Sequence, residues 1–313
     1  MRPRVRYAGL LLALSASACE LEELTVIDFV DIVVAEVYVT LGDTPAEHGV
    51  RALLHGTAAG GTTDSETFDD ALVRITRADG FTIDLALDLV TECVDSVPEG
   101  ASGSCFVDGG QAAGLAPGDA LELSVGLADG RTLLAATRIP GDFQLAGISA
   151  ACRLEPESLL PLSWSRSDGA WAYVNETSIS GLPAALAPEG IEVEDDPLYL
   201  LGLSISAADT TVIFPSEFGV FDRFDLDQDL ALRLQRGLPN GTDALVSVTA
   251  VERNYTNWVR GGNFNPSGQV RVASVRGDGT GVFGAAVVRE FSVASLSLLS
   301  SPPPGGPPDC PIP

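Results

Sequence analysis

The clearest structural signal in the chain is ALVRITRADGFTIDL, residues 71–85. On either side of Asp79-Gly80, apolar and polar residues alternate, which is the period of a half-buried strand. An Asp-Gly pair between two such runs predicts a β-hairpin with a type I′ turn, because glycine adopts positive φ without steric cost. The same arrangement recurs at Asp129-Gly130, between residues 121–127 and 132–139. The sequence therefore predicts antiparallel hairpins in this half of the chain.

Further strand-like runs precede these hairpins at residues 32–41 and 50–54, and the pattern ends at residues 139–142, Ile-Pro-Gly-Asp. Strands about 8–12 residues apart with turn signals between them are typical of a β-sandwich. We interpret residues 25–143 as one immunoglobulin-like or carboxypeptidase-regulatory-like sandwich.

The second half, residues 144–300, has the same character. Strand-like runs occupy residues 160–164 and 171–174, and the turn signal between them predicts that they pair. Others follow at 198–205, 211–214, 245–251 and 285–293, with one short helix expected at 252–260. The chain is therefore predicted to be all-β, with a second β-rich, sandwich-like domain after the first.

Residues 1–18 have the pattern of a signal peptide. Arg2, Arg4 and Arg6 precede an apolar run at 7–14, and small residues follow at 15–18. The run is too short to span a bilayer, which takes about 20 apolar residues. We therefore expect export, either with ordinary cleavage after Ala-Ser-Ala or with the lipid modification considered next.

Residues 16–19, Ala-Ser-Ala-Cys, resemble the bacterial lipobox, although that pattern prefers leucine where Ala16 stands. The resemblance implies acyl chains on Cys19 and a lipid bilayer as partner, with residues 19–24 as a tether. More than one acyl chain makes anchoring stable, since each buried methylene contributes about 0.8 kcal/mol.

Four cysteines remain when Cys19 is assigned to lipid. Cys93 and Cys105 flank a short loop rich in Pro, Gly and Ser, so they are expected to form one disulfide, which leaves Cys152 to pair with Cys310. A metal site is the alternative, but no CxxC motif or nearby histidine favours it. The Pro/Gly-rich tail, residues 301–313, is expected to lie extended on the surface, held only by Cys310.

The charged residues exclude several functions. The chain contains no lysine, so lysine Schiff-base chemistry and a P-loop lysine are excluded. Removal of residues 1–18 leaves 15 basic and 43 acidic residues, a net charge of −28. Such a charge repels nucleic acid and suits solubility, cation binding or a basic partner.

Two motifs are weak candidates for ligand sites. Asp225, Asp227 and Asp229 occupy alternate positions, as in an EF-hand calcium loop. Such a loop would also need Gly and Glu at the positions of Leu230 and Arg236. The alternative interpretation is that the run forms the solvent-exposed face of a strand. Residues 279–284, GTGVFG, match GxGxxG but precede a strand and not a helix. We expect no metal and no cofactor.

A more distinctive stretch runs from residue 252 to 268, where a short helix leads into a polar loop containing aromatic residues. Loops on rigid scaffolds often carry binding residues, and aromatics with Asn and Arg suit carbohydrate or protein recognition. The candidate binding residues are Tyr255, Trp258, Arg260, Asn263 and Phe264. In the alternative interpretation, the aromatics fix the loop to the core.

Three motifs together resemble a group of uncharacterised bacterial lipoproteins: TRIP at 137–140, AVERNY at 250–255 and GTGVFG at 279–284. This resemblance implies two β-rich halves and an accessory role in the cell envelope, since such proteins are often encoded near TonB-dependent outer-membrane transporters. It supplies no catalytic residues. The sequence thus predicts a non-enzymatic binding or assembly lipoprotein of the outer membrane; the alternatives are a spacer without ligand and a carboxylate-based glycoside hydrolase.

Overall fold

A computed structural model describes residues 32–57, 67–94, 103–204, 206–217, 228–261, 272–297 and 306–311. The predicted signal peptide, Cys19 and the tether lie outside these ranges, as do Asn263 and Phe264. From residue 32 onward, the described residues belong to one compact unit. No helix within the described ranges is long and apolar enough to cross a membrane.

The described residues are organised mainly as strands, which confirms the predicted all-β class. The strands are β1 (Val33–Leu41), β2 (Gly49–Gly56), β3 (Leu72–Arg77), β4 (Thr82–Asp88), β5 (Ser104–Val107), β6 (Ala120–Gly126), β7 (Thr132–Arg138), β8 (Ala151–Leu154), β9 (Leu160–Ser163), β10 (Ala172–Ser180), β11 (Leu198–Leu203), β12 (Thr211–Phe214), β13 (Asp243–Val251), β14 (Arg276–Gly277) and β15 (Gly279–Ser295). The helices are α1 (Leu182–Leu186), α2 (Gln228–Leu234) and α3 (Arg253–Gly261). The sequence predicted only α3 of these.

Strands β1 to β7 form an immunoglobulin-like sandwich. One sheet has the order β1-β2-β5-β4 and the other β4-β3-β6-β7, with antiparallel pairing throughout. Strand β4 belongs to both sheets, because residues 82–85 pair with β3 and residues 86–88 pair with β5. Alternate residues of β3 and β6 are buried, as period-two side-chain alternation requires. The inward side chains, among them Ile75, Ile83 and Leu123, form the core between the sheets.

The two Asp-Gly hairpins are present, but their turn type differs from the prediction. Three residues, Ala-Asp-Gly, lie between the backbone-bonded pair Arg77 and Phe81 and again between the pair Leu127 and Arg131. The Gly80 amide donates to the Arg77 carbonyl over 2.9 Å, and the Arg77 amide donates to the Phe81 carbonyl over 2.8 Å. Within these two turns, Gly80 and Gly130 are the residues with positive φ, +91° in each case. This is a type I turn followed by a left-handed glycine, where two positive φ values would be needed for type I′.

Beyond the two sheets of the sandwich, a further set of strands has the order β11-β10-β13-β15, with β8 beside the last part of β15. We call this set the second sheet. Its inner face shares one hydrophobic core with the buried side chains of β9, β12, α1 and α2. The ring of Tyr173 contacts Phe143 and Trp164 edge-on, with centroid distances of 5.8 and 5.3 Å. The predicted pairing of residues 160–164 with 171–174 is wrong. Strand β9 pairs instead with β12, about fifty residues along the chain.

Strand β15 connects the sandwich to the second sheet. Residues 279–287 pair in parallel with β1, and residues 286–294 pair antiparallel with β13. Strand β15 follows the predicted domain boundary at residues 143–144, yet it pairs with β1 of the sandwich that precedes the boundary. Strand pairing therefore continues across the predicted boundary. Strand β14 adds to the same sandwich by pairing with β7.

Both predicted disulfides, Cys93–Cys105 and Cys152–Cys310, are present. The described tail residues run beside β8: the Arg153 amide donates to the Pro308 carbonyl and the Cys310 amide donates to the Arg153 carbonyl, both over 2.8 Å. The buried Arg153 guanidinium also pairs with the Asp309 carboxylate. The tail is therefore held by a β-bridge and an ion pair as well as by Cys310, and the prediction that Cys310 alone holds it is wrong.

Candidate functional site

Helix α3 carries Tyr255 and Trp258, two of the predicted binding residues. The Trp258 side chain is 8% exposed and packs with Val34 and Val282, on the outer side of the first sandwich. The Tyr255 ring contacts Tyr38 edge-on, with 5.3 Å between ring centroids. Both aromatic side chains therefore face the sheet and fix the helix to it.

Arg260, near the end of α3, is half-buried and donates a hydrogen bond to the Ser204 carbonyl over 3.3 Å. Asn263 and Phe264 lie outside the described residues. The structure thus brings Tyr255, Trp258 and Arg260 together on one helix, but as a packing surface and not as an open site.

Glu252 fixes the start of α3. Its carboxylate accepts hydrogen bonds from the amides of Asn254 and Tyr255 over 2.5 and 2.8 Å, which are donors that a helix N-terminus leaves without intrahelical partners. It also accepts the Ala285 amide over 3.3 Å. Glu252 therefore binds the helix to strand β15.

Asn254 makes a second link. Its side-chain amide donates to the carbonyls of Ala136 on β7 and Phe283 on β15, over 3.0 and 3.1 Å. Ala136 directly precedes the motif at 137–140, so Asn254, in the motif at 250–255, connects that end of β7 with the motif at 279–284. We call this place the joint. The motifs at 250–255 and 279–284 therefore supply part of the connection between the sandwich and the second sheet.

The glycines of the third motif permit close packing at the joint. Gly281 pairs with Ala35 and has a φ of +134°, and a Cβ on Gly281 would lie 2.0 Å from the Ala35 carbonyl oxygen. A Cβ on Gly284 would lie 3.0 Å from the Tyr255 ring. Residues 279–284 form part of a strand with close neighbours on both faces, so the motif is not a phosphate-binding loop.

Burial shifts two titratable groups at the joint. It raises the pKa of the Glu252 carboxyl, against the opposing effect of the amides that Glu252 accepts. Burial, followed by the negative charge of Glu176, raises the pKa of Tyr255 to about 12. Since Glu252 is only 6% exposed, its carboxylate serves the structure and is not accessible to a reactant.

The outer side of the second sheet offers a different surface, which we call the open face. Two rows of paired residues cross its strands in the order β11, β10, β13, β15. They are Tyr199, Ser178, Leu245 and Ser292 in the first row, and Leu201, Glu176, Ser247 and Glu290 in the second. Tyr199 is 71% exposed and Leu245 is 47% exposed. The first row therefore presents aromatic and aliphatic surface to solvent.

The open face forms a groove of about 360 Å³. A second depression of similar volume adjoins it at Ser178 and Leu245 and extends across β8 to Pro307. At the opposite end, Tyr255 packs against the same sheet with a small apolar cluster that includes Leu201 and Val251. Helix α3 thus covers one end of this sheet face, whereas Tyr199 and Leu245 at the other end are exposed.

The groove is acidic. Glu176 and Glu290 are its charged lining residues, and Asp243 lines the adjoining depression; among the described residues no arginine lines either part. Burial, followed by the nearby carboxylates of Glu47 and Asp43, raises the pKa of Glu290. The negative potential at this face can therefore stabilise a positively charged group.

None of the open-face residues was among the predicted binding residues, although the sequence carries part of the signal for this surface. Glu176, Ser178 and Ser180 occupy alternate positions of β10 and so indicate a solvent-facing side. Tyr199 and Leu245 lie in runs of apolar residues, where neither composition nor period distinguishes an exposed position from a buried one.

No cluster of three or more potential metal-ligating side chains exists within the described part of the chain. Asp229 is the second residue of α2, so the interpretation of Asp225, Asp227 and Asp229 as one strand is wrong at this end of the run. Asp225 and Asp227 lie outside the described residues.

Comparison with protein-family models gives no match, and comparison with curated proteins gives none either. Among solved structures, a tetra-tandem repeat from the extending region of a large adhesion protein is similar with 9% identity and a TM-score of 0.21, over 83% of this chain and 50% of that one. Fibronectin(III)-like modules of Clostridium thermocellum CbhA are similar with 11% identity and a TM-score of 0.18, over 83% of this chain and 92% of that one. This chain thus spans half the length of the adhesion-protein structure.

Proposed function

We propose that this protein is a lipoprotein of the bacterial outer membrane, anchored through an acylated Cys19, and that its β-sheet body binds a partner without catalysing a reaction. The signal-like segment and the lipobox-like residues 16–19 support the anchoring, and two disulfides fit an oxidising compartment. We propose an outer-membrane transporter or another envelope protein as the partner.

The observation that carries the binding role is the open face. A sheet that packs its inner face on a core and exposes Tyr199 and Leu245 on the other face leaves apolar area in contact with solvent. Tyrosine contributes large contact area at binding surfaces, and contiguous exposed apolar surface is typical of interaction sites and ligand-binding grooves. A spacer has no need of such a groove.

A pull-down from envelope extract tests the proposal. The full-length lipoprotein is compared with a Tyr199→Ser/Leu245→Ser variant, which removes the apolar row without touching the core. We expect the variant to lose the captured partner. Leu72→Ser serves as the matched control, because Leu72 is 77% exposed on the first sandwich. Capture of the same partner by all three proteins would place the binding site elsewhere, and capture of no partner by any of them would favour the spacer.

Anchoring has a separate test. Mass spectrometry of the mature N-terminus should show a modified Cys19, and a Cys19→Ser variant should leave the membrane fraction. An unmodified Cys19 would overturn anchoring, although the result would remain compatible with export.

One observation favours a second candidate, the carboxylate-based glycoside hydrolase. Glu176 and Glu290 both pair with Ser247, so they lie two strand spacings apart on one face, about 10 Å between backbones. Carboxylates of inverting glycosidases lie about 6.5–9.5 Å apart. Release of reducing sugar ends from cell-wall glycan or polysaccharide, abolished by Glu176→Gln or Glu290→Gln, would replace the binding proposal with this one.

A further inference from the structure

Trp171 and Arg253 contact each other on the surface beside the joint. Trp171 directly precedes β10 and is 48% exposed. The guanidinium carbon of Arg253, the first residue of α3, lies over its ring, 5.5 Å from the ring centre. The Trp171 amide donates to the Val251 carbonyl over 2.8 Å, which fixes the two backbones close together. The pair is therefore held in place by the fold and remains accessible to solvent.

Within the described part of the chain, the Arg253 guanidinium has no carboxylate partner, whereas other arginines do. Arg77, Arg233 and Arg289 each pair with two carboxylates. Contact with the face of the Trp171 ring leaves the N–H donors of the guanidinium available, since they lie at its edge. Arg253 can therefore donate hydrogen bonds to an anion that a partner supplies.

Asn254 brings a second arginine close to this pair. Its side-chain amide donates to the Ala136 carbonyl over 3.0 Å. Arg138 follows Ala136 by two residues, about 7 Å along β7, and is exposed. Because Arg253 directly precedes Asn254, the two arginines lie on neighbouring segments.

The segment that carries Arg138 is also attached to the turn before Trp171. The Gly141 amide donates to the Asp168 carbonyl over 2.7 Å, and Trp171 follows that turn. Arg138 lies between this attachment and the previous one, on a segment that is fixed at both ends. We call Arg138, Trp171 and Arg253 the arginine patch.

Two carboxylates lie near the arginine patch, and neither forms an ion pair with its arginines. Glu252 is buried and accepts the amides at the start of α3. Asp168 is exposed, and it forms no ion pair with an arginine of the described residues. The two guanidinium groups therefore present positive charge to solvent on a protein whose net charge is strongly negative.

From these contacts we propose that the arginine patch binds an acidic segment of a partner protein, in which Asp or Glu stands beside an apolar side chain. Trp and Arg are enriched among the residues that contribute most to protein–protein binding. A carboxylate can accept two parallel hydrogen bonds from one guanidinium, and its apolar neighbour can pack on the exposed part of the Trp171 ring. The inference adds a second binding surface and does not depend on the open face.

Fluorescence anisotropy with a synthetic peptide tests the inference on the full-length protein. The probe is a labelled peptide of three Glu-Phe-Ser repeats, and its counterpart has Gln in place of Glu. We expect the acidic peptide to bind about tenfold more tightly at about 50 mM salt. This advantage should fall at about 500 mM salt, because exposed charges are then screened. Equal binding of the two peptides, or binding of neither, would overturn the inference.

The deciding comparison removes two arginines from different places. Arg138→Gln/Arg253→Gln should weaken binding of the acidic peptide about tenfold. Arg74→Gln/Arg236→Gln removes the same charge from side chains that are 57% and 63% exposed on β3 and after α2. This control should stay within about twofold of the unaltered protein. An equal loss in both variants would show attraction by net charge alone, and the inference would fail.

Trp171→Ala tests the aromatic part without altering the charge. It should weaken binding of the acidic peptide about tenfold, and an unchanged affinity would contradict the role of the patch. Arg253→Lys keeps the charge but loses the planar fork, so its loss should be smaller than that of the Gln variant. Circular dichroism checks that each variant is folded, and Trp171→Ala still decides the outcome if the double arginine variant is not.

Two further measurements separate the alternatives. Polygalacturonate offers carboxylates on a glycan; if it binds to the patch and the peptide does not, the patch takes an acidic glycan and the protein partner is overturned. The open-face variant Tyr199→Ser/Leu245→Ser should bind the peptide as tightly as the unaltered protein. Loss of the peptide in that variant alone would place it on the open face, which would overturn this inference and leave the proposed function intact.

Discussion

The carbonyl oxygen of Ala35 on β1 occupies the space beside Gly281 on β15 that any other residue would fill with its Cβ. The two residues are register partners in the parallel pairing, and the calculated approach of 2.0 Å is far below a van der Waals contact. The connection between the first and last strands of the sandwich therefore depends on a residue without a side chain.

Gly281→Ala should lower the free energy of unfolding by about 3–5 kcal/mol, because it adds the clash with Ala35 to the strain of a positive φ. Gly80→Ala is the matched control: Gly80 also has a positive φ, but a Cβ there would meet nothing within 4 Å. We expect a cost of about 1 kcal/mol for that variant. Denaturant unfolding measures both, and equal losses would contradict the role of the close approach.

Trp258→Ala should destabilise the protein by about 3–5 kcal/mol, the usual cost of truncating a buried aromatic side chain. It should not alter partner capture by the molecules that remain folded, because Trp258 packs on Val34 and Val282. Trp171→Ala, at a side chain that is 48% exposed, should cost much less. If the Trp258 variant kept its full stability but no longer captured the partner, the binding site would lie on α3.

Removal of the two disulfides should have unequal effects. Cys152–Cys310 closes a separation of 158 residues and Cys93–Cys105 one of 12. In the chain-entropy model the longer loop contributes about 5 kcal/mol and the shorter one about 3 kcal/mol. Paired Cys→Ser variants, compared by denaturant unfolding, should follow that order. The reverse order would mean that the β-bridge and the Arg153–Asp309 pair hold the tail without the disulfide.

Glu252 should make the free energy of unfolding depend on pH. A carboxyl whose pKa is raised on folding contributes its full stabilisation below the unfolded pKa, near 4.3, and that stabilisation is lost as pH rises through the folded pKa. Glu252→Gln keeps an acceptor oxygen and cannot titrate. The stability of the variant relative to the unaltered protein should therefore increase as the pH rises above about 4.3, the unfolded pKa. A difference that is independent of pH would show that Glu252 does not titrate in this range.

Local patterns predicted most strands, because alternation and Asp-Gly turns act over a few neighbouring residues. They could not predict that β9 pairs with β12 or that β15 pairs with β1, since non-local pairing leaves no local signal. The turn type at Gly80 was also missed. An Asp-Gly pair is compatible with either turn, and the number of loop residues depends on where the strand pairing begins.

The motif at 252–255 shows why the binding residues were harder to predict. Aromatic residues with Asn and Arg have the composition of a recognition site, yet Asn254 and Tyr255 hold two strands and a helix together. Composition does not indicate which side of a helix meets a sheet. Tyr199 lies on an edge strand, and its exposure depends on the tertiary fold and not on the local sequence.

The late position of β15 in the chain constrains the order of assembly. Translation proceeds from the amino terminus, so β1 is made long before residues 279–287, with which it pairs. Until that segment is synthesised, the edge of β1 that faces away from β2 has no partner strand, and the sandwich is incomplete. Maturation of the whole body should therefore be a late, single event that follows synthesis of nearly the entire polypeptide, and truncation before residue 279 should leave a protease-sensitive product.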